Sequence, residues 1–376
     1  MNNIKIEAIS PIHIGDSEIK NLYSLSDFIA DDNQLKLIDH KKLENIFEQK
    51  PEILEYYINE VKSHTSKSYS LKNFLNKHQI EIDDITESSE IPIIGNFTGK
   101  EINTFISTSG KNYIPGSTIK GAIRNAFAFA YLNEHPEMIS NIISKHYRNK
   151  VDYSAEERYI FGKNPFSDIL KFLQISDTSY FPKNSNAIYC CNNFHLKKQE
   201  LSVPINYEGI APNSETEFKI KITDNINRRI DRELDKNFWI NHLSIENIFK
   251  DMNSLSKRFI ERELDEIDGI HEMEQTVIFY EELLDDIKNS KNESAYFCIG
   301  KGGTILAKTV LLSLTKEELE ELRNKMKNTK VSMNFGWKSV SGKGKQISSI
   351  FPVTRLVYEN QNNWQAGFGW IKIKKM

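Results

Sequence analysis

Three side chains in the stretch Tyr113–Phe127, YIPGSTIKGAIRNAF, are spaced to hold an anion: the Ser117 hydroxyl, the Lys120 ammonium and the Arg124 guanidinium. Residues four apart fall about 40° from each other around a helix, so the two cations share a face. The preceding Pro-Gly reads as a helix start with Ser117 as N-cap, at the end where backbone N–H groups carry partial positive charge. Lys120 then stands where a capping box would place Glu. A phosphate reconciles these features by accepting from free N–H groups, the hydroxyl and both cations. Two cations reaching water from an exposed face would give the same spacing, because a first-turn cation costs only ~0.3–1 kcal/mol.

Other reactive groups are sparse. GSTIKGAI lacks the Lys and hydroxyl that must follow the second glycine of a Walker loop, and SGKGK fails in the same way, which disfavours nucleoside triphosphate binding. Metal-free RNA cleavage needs a general acid and base, and His13 is the one histidine set in a motif, SPIHIG. It has no second histidine or paired carboxylate at useful spacing, so it reads as a turn histidine bonded to backbone, with endoribonuclease activity as the alternative. HEMEQ, His271–Gln275, lacks the second histidine of a zinc helix, and Cys190, Cys191 and Cys298 have no paired metal spacing. No metal, cofactor or disulfide is expected.

The elements that must position these groups alternate between strands and helices. NIKIEAI over residues 3–9 has the period of a half-buried strand, and the Pro and Gly of SPIHIG end it. Residues 35–90 read as a helical insertion. INTFISTSGKNYI reads as a hairpin around Ser109-Gly110, delivering the chain to a helix over 118–132. LKFLQISDTSYF and NAIYCCNNFHL are further strands, LSVPINYEGIAPNSETEFKIKI a hairpin turning at Pro212-Asn213, and residues 226–290 an acidic helical segment. A domain boundary is placed near residue 225, giving domains 1–225 and 226–376.

The formal charge of −3 conceals an asymmetry, since Leu322–Met376 holds eleven Lys or Arg against one acid, Glu359. Eight of the seventeen glycines lie beyond residue 299, interleaved with lysines and aromatics. Cations, stacking faces and glycines that admit close backbone approach suit single-stranded nucleic acid, although a lysine-rich end can also be a solvated tail. Lys338, Lys343 and Lys345 in FGWKSVSGKGK join the candidate contacts on this ground. No secretory signal or membrane-length apolar run is visible, which points to a soluble cytoplasmic protein.

SPIHIG, IPGSTIKGAIR, IGKGGTILAKT and the terminal TRLVY and GFGWIKIK together resemble the RAMP superfamily of CRISPR-associated proteins. The order of the C-terminal motifs is most similar to the subunit on the 3′ side of the guide RNA in type III-A (Csm) effector complexes. The resemblance implies an α+β fold of tandem ferredoxin-like (βαββαβ) modules and a glycine-rich loop contacting RNA. It implies a crRNA partner, assembly with the repeating backbone RAMP subunit and other Csm subunits, and a role in guide maturation without a nuclease centre. Target RNA and a recruited host nuclease are further candidate partners. Residue by residue it marks His13 and Gly15 in the first turn, Gly116, Ser117, Lys120 and Arg124 at the helix start, Gly300, Lys301, Gly302, Thr304 and Lys308 in the loop, and Thr354 and Arg355 in the late strand. Aromatics on the open sheet face are not evident, which directs the expected RNA contact to loops and helix ends.

Overall fold

The alternating stretch Asn2–Ala8 is a strand with one dry face, burying Ile4, Ile6 and Ala8 while Asn3 and Lys5 reach water. It lies between Glu215–Ile222 and Trp370–Lys375, antiparallel to both, in a five-stranded sheet. Leu173–Ile175 borders one side and Ser294–Cys298 the other. Helices Gly116–Glu134 and Ile245–Ile267 pack against each other, the second also against the edge strand Ser294–Cys298. In chain order this is strand, helix, strand, strand, helix, strand, the ferredoxin-like order, with Ser294–Cys298 added at the edge. Strands from both sides of residue 225 share this sheet, so a division there does not separate two sheets. The computed structural model describes the chain except residues 16–20, 32, 64–70, 140–153, 224–228, 326–336, 341–342, 348–349 and 361–362.

A ten-stranded sheet is built around Asn186–His195, which pairs with Ile205–Ile210, Thr86–Ile94 and Thr354–Asn360. The helical insertion rises from this sheet between two strands, Gln34–Ile38 and Thr86–Ile94, that pair antiparallel. Its first helix, His40–Gln49, starts at Asp39, whose carboxylate accepts from the N–H groups of Lys41 and Lys42. Leu43, Ile53, Phe74 and Leu75 give the insertion a core of its own.

One expected hairpin is corrected. Pro212-Asn213 does turn, with Asn213 at φ 63°, but Ile205–Ile210 pairs in the larger sheet and Glu215–Ile222 in the smaller. The turn is a crossing between sheets. Of the earlier hairpin, only Ser107–Thr108 and Lys111–Asn112 pair with each other, while Glu101–Asn103 runs parallel to Ile205–Ile210.

The acidic segment folds as helices Lys236–His242, Ile245–Ile267 and Glu274–Asn289. Ile248, Met252, Leu255 and Phe259 recur at helical spacing on the buried face of the longest one. Each such side chain contributes about 1.5–3 kcal/mol when fully buried.

A histidine fastens this segment to the end of Gly116–Glu134. His242 Nδ1 lies 2.6 Å from Asp251 Oδ2 and Nε2 lies 3.0 Å from Glu134 Oε1, with the ring stacked on Phe238. Burial alone would lower its pKa, but the two carboxylates raise it above the ordinary 6.5. The imidazolium therefore stabilises the folded chain fully below that ordinary value, and the contribution is lost as pH rises through the raised one. In urea titrations, His242→Gln should lose stability against wild type at pH 6, with the gap narrowing as pH climbs. A gap that is constant or widens with pH would contradict the clasp.

Candidate nucleic-acid interface

The helix Gly116–Glu134 starts two residues earlier than its sequence suggests. Pro115, extended at φ −60° and ψ 136°, is the N-cap, and Ser117 lies exposed inside the first turn without capping anything. The first N–H is already taken, because Gly116 donates to Asp177 Oδ1 at 2.7 Å. Thr178 Oγ1 likewise accepts from Ile114 at 2.9 Å. Gly116 is glycine because a Cβ would sit 2.6 Å from the Ile175 carbonyl oxygen. Asp177 thus supplies the carboxylate missing from the first turn, which is why a lysine is tolerated there.

Arg124 departs further from expectation. Its guanidinium lies 3.9 Å from the Phe161 ring centroid and donates to Asp168 at 2.9 Å and Glu157 at 3.1 Å. With its charge and its face both engaged, it does not converge with Lys120 on one phosphate. Lys120 is half-buried, and burial pulls its ammonium pKa down against the attraction of Asp168. It faces a cleft of ≈ 590 Å³ whose lining includes Ser117, Gly121, Arg158, Asn164 and Lys171.

The first turn and the glycine-rich loop form one unit. Lys301 N–H donates to the His13 carbonyl at 2.9 Å, and a Cβ on Gly300, at φ +64°, would lie 2.0 Å from that same oxygen. Gly302 is pressed equally close to the Phe368 carbonyl. These glycines let the backbones of the first turn, the loop and the last strand pack closely together. Gly15 bridges to Phe105 on the same turn.

His13 is 1% exposed, with Nδ1 2.7 Å from the Glu208 carbonyl and its ring 4.6 Å from that of Tyr207. Burial lowers its pKa to about 4. At neutral pH it is an uncharged imidazole donating to backbone.

What the loop presents to solvent is cationic. Lys301 is exposed, its ammonium 5.8 Å from the Tyr207 ring centroid. Lys308, at the end of the short helix Ile305–Lys308, also keeps much of its side-chain surface in water, while desolvation of its ammonium, together with the Lys301 charge, pulls its pKa down. Thr304 Oγ1 is buried with no hydrogen-bond partner among the described residues. Ile305–Lys308 packs on Gly116–Glu134, Ala307 sharing a small void with Ala122 and Ala126. Motifs nearly two hundred residues apart therefore gather at one end of the smaller sheet.

Arg355 is corrected outright as an RNA contact. It is 3% exposed and donates from Nε to Glu263, itself 1% exposed, in a pair inside the core. Thr354 beside it is exposed on the strand. Lys338, Lys343 and Lys345 sit on a two-stranded ribbon, Trp337–Val340 with Lys343–Ile347, and their side chains lie outside the described residues. Sequence reasoning missed Asp177, Arg158 and Lys171, which belong to no motif and reach the helix start only through the fold.

Among the described residues, no group of His, Cys, Asp and Glu could hold a metal ion and no helix is long and apolar enough to cross a membrane. The family model for the RAMP superfamily matches residues 5–305. The CRISPR system Cms protein Csm5 of Methanocaldococcus jannaschii is 30% identical over 387 residues, spanning 98% of this chain and 88% of that protein. Its namesake from Streptococcus thermophilus is 26% identical over 62% of this chain and 67% of its own length. Two solved structures share the fold. One is a chain of a Csm–crRNA–target RNA ternary complex from a type III-A CRISPR-Cas system, with TM-score 0.75, 19% identity and full coverage of both chains. The other is T.onnurineus Csm5, with TM-score 0.67, 18% identity, 98% of this chain and 99% of that one. With a matching family model over most of its length and a relative alike from end to end, the chain belongs to the RAMP superfamily and, within it, to the Csm5 proteins of CRISPR systems.

Proposed function

We propose that the chain is a non-cleaving RNA-binding subunit of a type III-A Csm effector complex. In this reading it holds the 3′ side of the crRNA, caps the filament of the repeating backbone RAMP subunit and supports crRNA maturation in the cytoplasm. Other Csm subunits, target RNA and a recruited trimming nuclease are its partners.

The observation that carries the proposal is the pair of exposed lysines, Lys301 and Lys308, held on a loop docked to the first turn and packed beside the helix that bears Lys120. The Lys301 charge disfavours the charged form of Lys308, and an anion between them would relieve that repulsion. The solved ternary complex of the same fold contains crRNA and target RNA, in keeping with this reading. The state of His13 argues against cutting: a buried, neutral ring bonded to backbone neither reaches a phosphodiester nor delivers a proton to a leaving group.

Replacing Lys120, Lys301 and Lys308 together by alanine should weaken binding of labelled repeat-derived RNA about tenfold or more without unfolding the chain. Three lost phosphate contacts on a single strand should also flatten the plot of log affinity against log salt by about 2. Wild-type protein in EDTA should retain the RNA uncut. Unchanged affinity and slope in the triple variant would sink the RNA assignment of these lysines, and cleavage by wild type that is lost in His13→Ala would restore the nuclease alternative.

A further inference from the structure

The rim of the cleft beside Lys120 carries a side chain that packing does not account for. Phe166 is 89% exposed, the highest value for a large apolar residue among the described ones. A phenylalanine ordinarily contributes by leaving water, so full exposure of the ring forgoes that gain.

The loop that displays it is tied on both sides. Asn164 Oδ1 accepts from the N–H groups of Phe166 at 3.0 Å and Ser167 at 3.1 Å, and the Asp168 N–H donates to the Asn164 carbonyl at 2.9 Å. The Lys171 ammonium donates to the Phe166 carbonyl. A Cβ on Gly162 would lie 2.4 Å from the Ser167 carbonyl oxygen, so the loop is also pressed against the chain that leads into it. The ring stands out from a braced turn.

What surrounds the ring selects among partners. Lys120, Arg158 and Lys171 line the cleft next to it, and the two acids there, Glu157 and Asp168, are both paired with Arg124. An excess of cations over acids, bordered by an aromatic face, suits a ribose-phosphate chain with an unstacked base. A hydrophobic socket on a neighbouring protein would match the ring but not the charge beneath it.

We infer that Phe166 is a base-stacking residue, receiving one unpaired RNA nucleotide whose neighbouring phosphates lie in the cleft of Lys120, Arg158 and Lys171. This deepens the RNA-binding reading above and rests on it. The nucleotide lies flat on the ring, and since every base has a π-face the contact carries affinity with little sequence preference.

The test uses the full chain with three single-stranded probes of equal length: oligoadenosine, oligouridine and an abasic ribose-phosphate oligomer. Phe166→Ala should weaken oligoadenosine binding roughly 5- to 150-fold, as expected for one stacked base. Its salt slope and its affinity for the abasic oligomer should stay at wild-type values. Phe166→Trp should retain affinity, and the added indole emission should be quenched when oligoadenosine binds. If Phe166→Ala binds all three probes like wild type while Lys120→Ala binds them more weakly, RNA binding stands and the stacking role is overturned. Loss of a co-purifying Csm subunit from Phe166→Ala with RNA affinity intact would overturn it too, in favour of a protein contact. Wild-type protein that binds none of the probes would remove the RNA-binding reading itself.

Discussion

Arg355→Ala is expected to lower the stability of the folded chain by about 3–5 kcal/mol, the usual consequence of removing one member of a buried ion pair. Arg355 and Glu263 are 3% and 1% exposed, and the guanidinium also donates to the carbonyls of Pro352 and Thr354. Without it, Glu263 would be a carboxylate in the core with no ion-pair partner and only the weaker attraction of Arg262. Burial already raises the pKa of this group, and losing Arg355 would raise it further. A folded-state pKa above the unfolded one means the neutral acid is favoured, so the deficit should shrink as pH falls and Glu263 takes up a proton. Replacing both partners by apolar residues, Arg355→Met with Glu263→Leu, should recover most of the loss. Urea unfolding at pH 5 and pH 8 measures all of this. If Arg355→Ala kept wild-type stability and bound RNA poorly, the arginine would return to the interface from which its burial removes it.

Ile123→Asp should be more damaging still. Ile123 is 1% exposed, between the fully buried Ile119 and Phe127 on the face of Gly116–Glu134 that enters the core. A carboxylate there has lost water and gained no partner, at a cost of about 4 kcal/mol or more. Set against a typical stability of about 5–15 kcal/mol, that leaves the fold marginal or lost. Ile123→Val, which removes one methyl group and adds no charge, should cost only about 0.5–1.5 kcal/mol. Circular dichroism and limited proteolysis distinguish the two. A cooperative thermal transition of wild-type midpoint in the aspartate variant would mean that this helix face is not in the core.

Local patterns were legible in the sequence, and distant partners were not. The strand at the start, the helix after Pro-Gly and the helical run after residue 226 all follow from periodicity. They were found within about two residues at the first two, which is the ordinary uncertainty of element boundaries. Ser117 looks like the N-cap in sequence because the group that takes the first N–H, Asp177, lies 61 residues after Gly116. Pro212-Asn213 gave a true turn and a false hairpin, since turn chemistry does not say which sheet the next strand joins. A motif and a local excess of cations point Arg355 toward RNA, whereas its place is decided by Glu263, 92 residues before it. Arg124 shows the same limit on a smaller scale: its spacing from Lys120 was correct, but Phe161, Glu157 and Asp168 turn it inward. Of the clustered glycines, Gly300, Gly302 and Gly369 are places of close backbone approach, and what approaches them is the chain itself.

The strand Asn2–Ala8 is hydrogen-bonded on one side to Trp370–Lys375. A ribosome adding about 5–20 residues per second reaches that partner only some 20–70 s after making the first strand. Throughout that interval one edge of Asn2–Ala8 has no mate, and the loop at Lys301 has neither Phe368 nor Gly369 to rest against. Nascent or truncated polypeptide thus cannot assemble the cationic end of the molecule. In the RNA-binding reading proposed above, the surface for RNA would be complete only once Trp370–Lys375 has joined Asn2–Ala8.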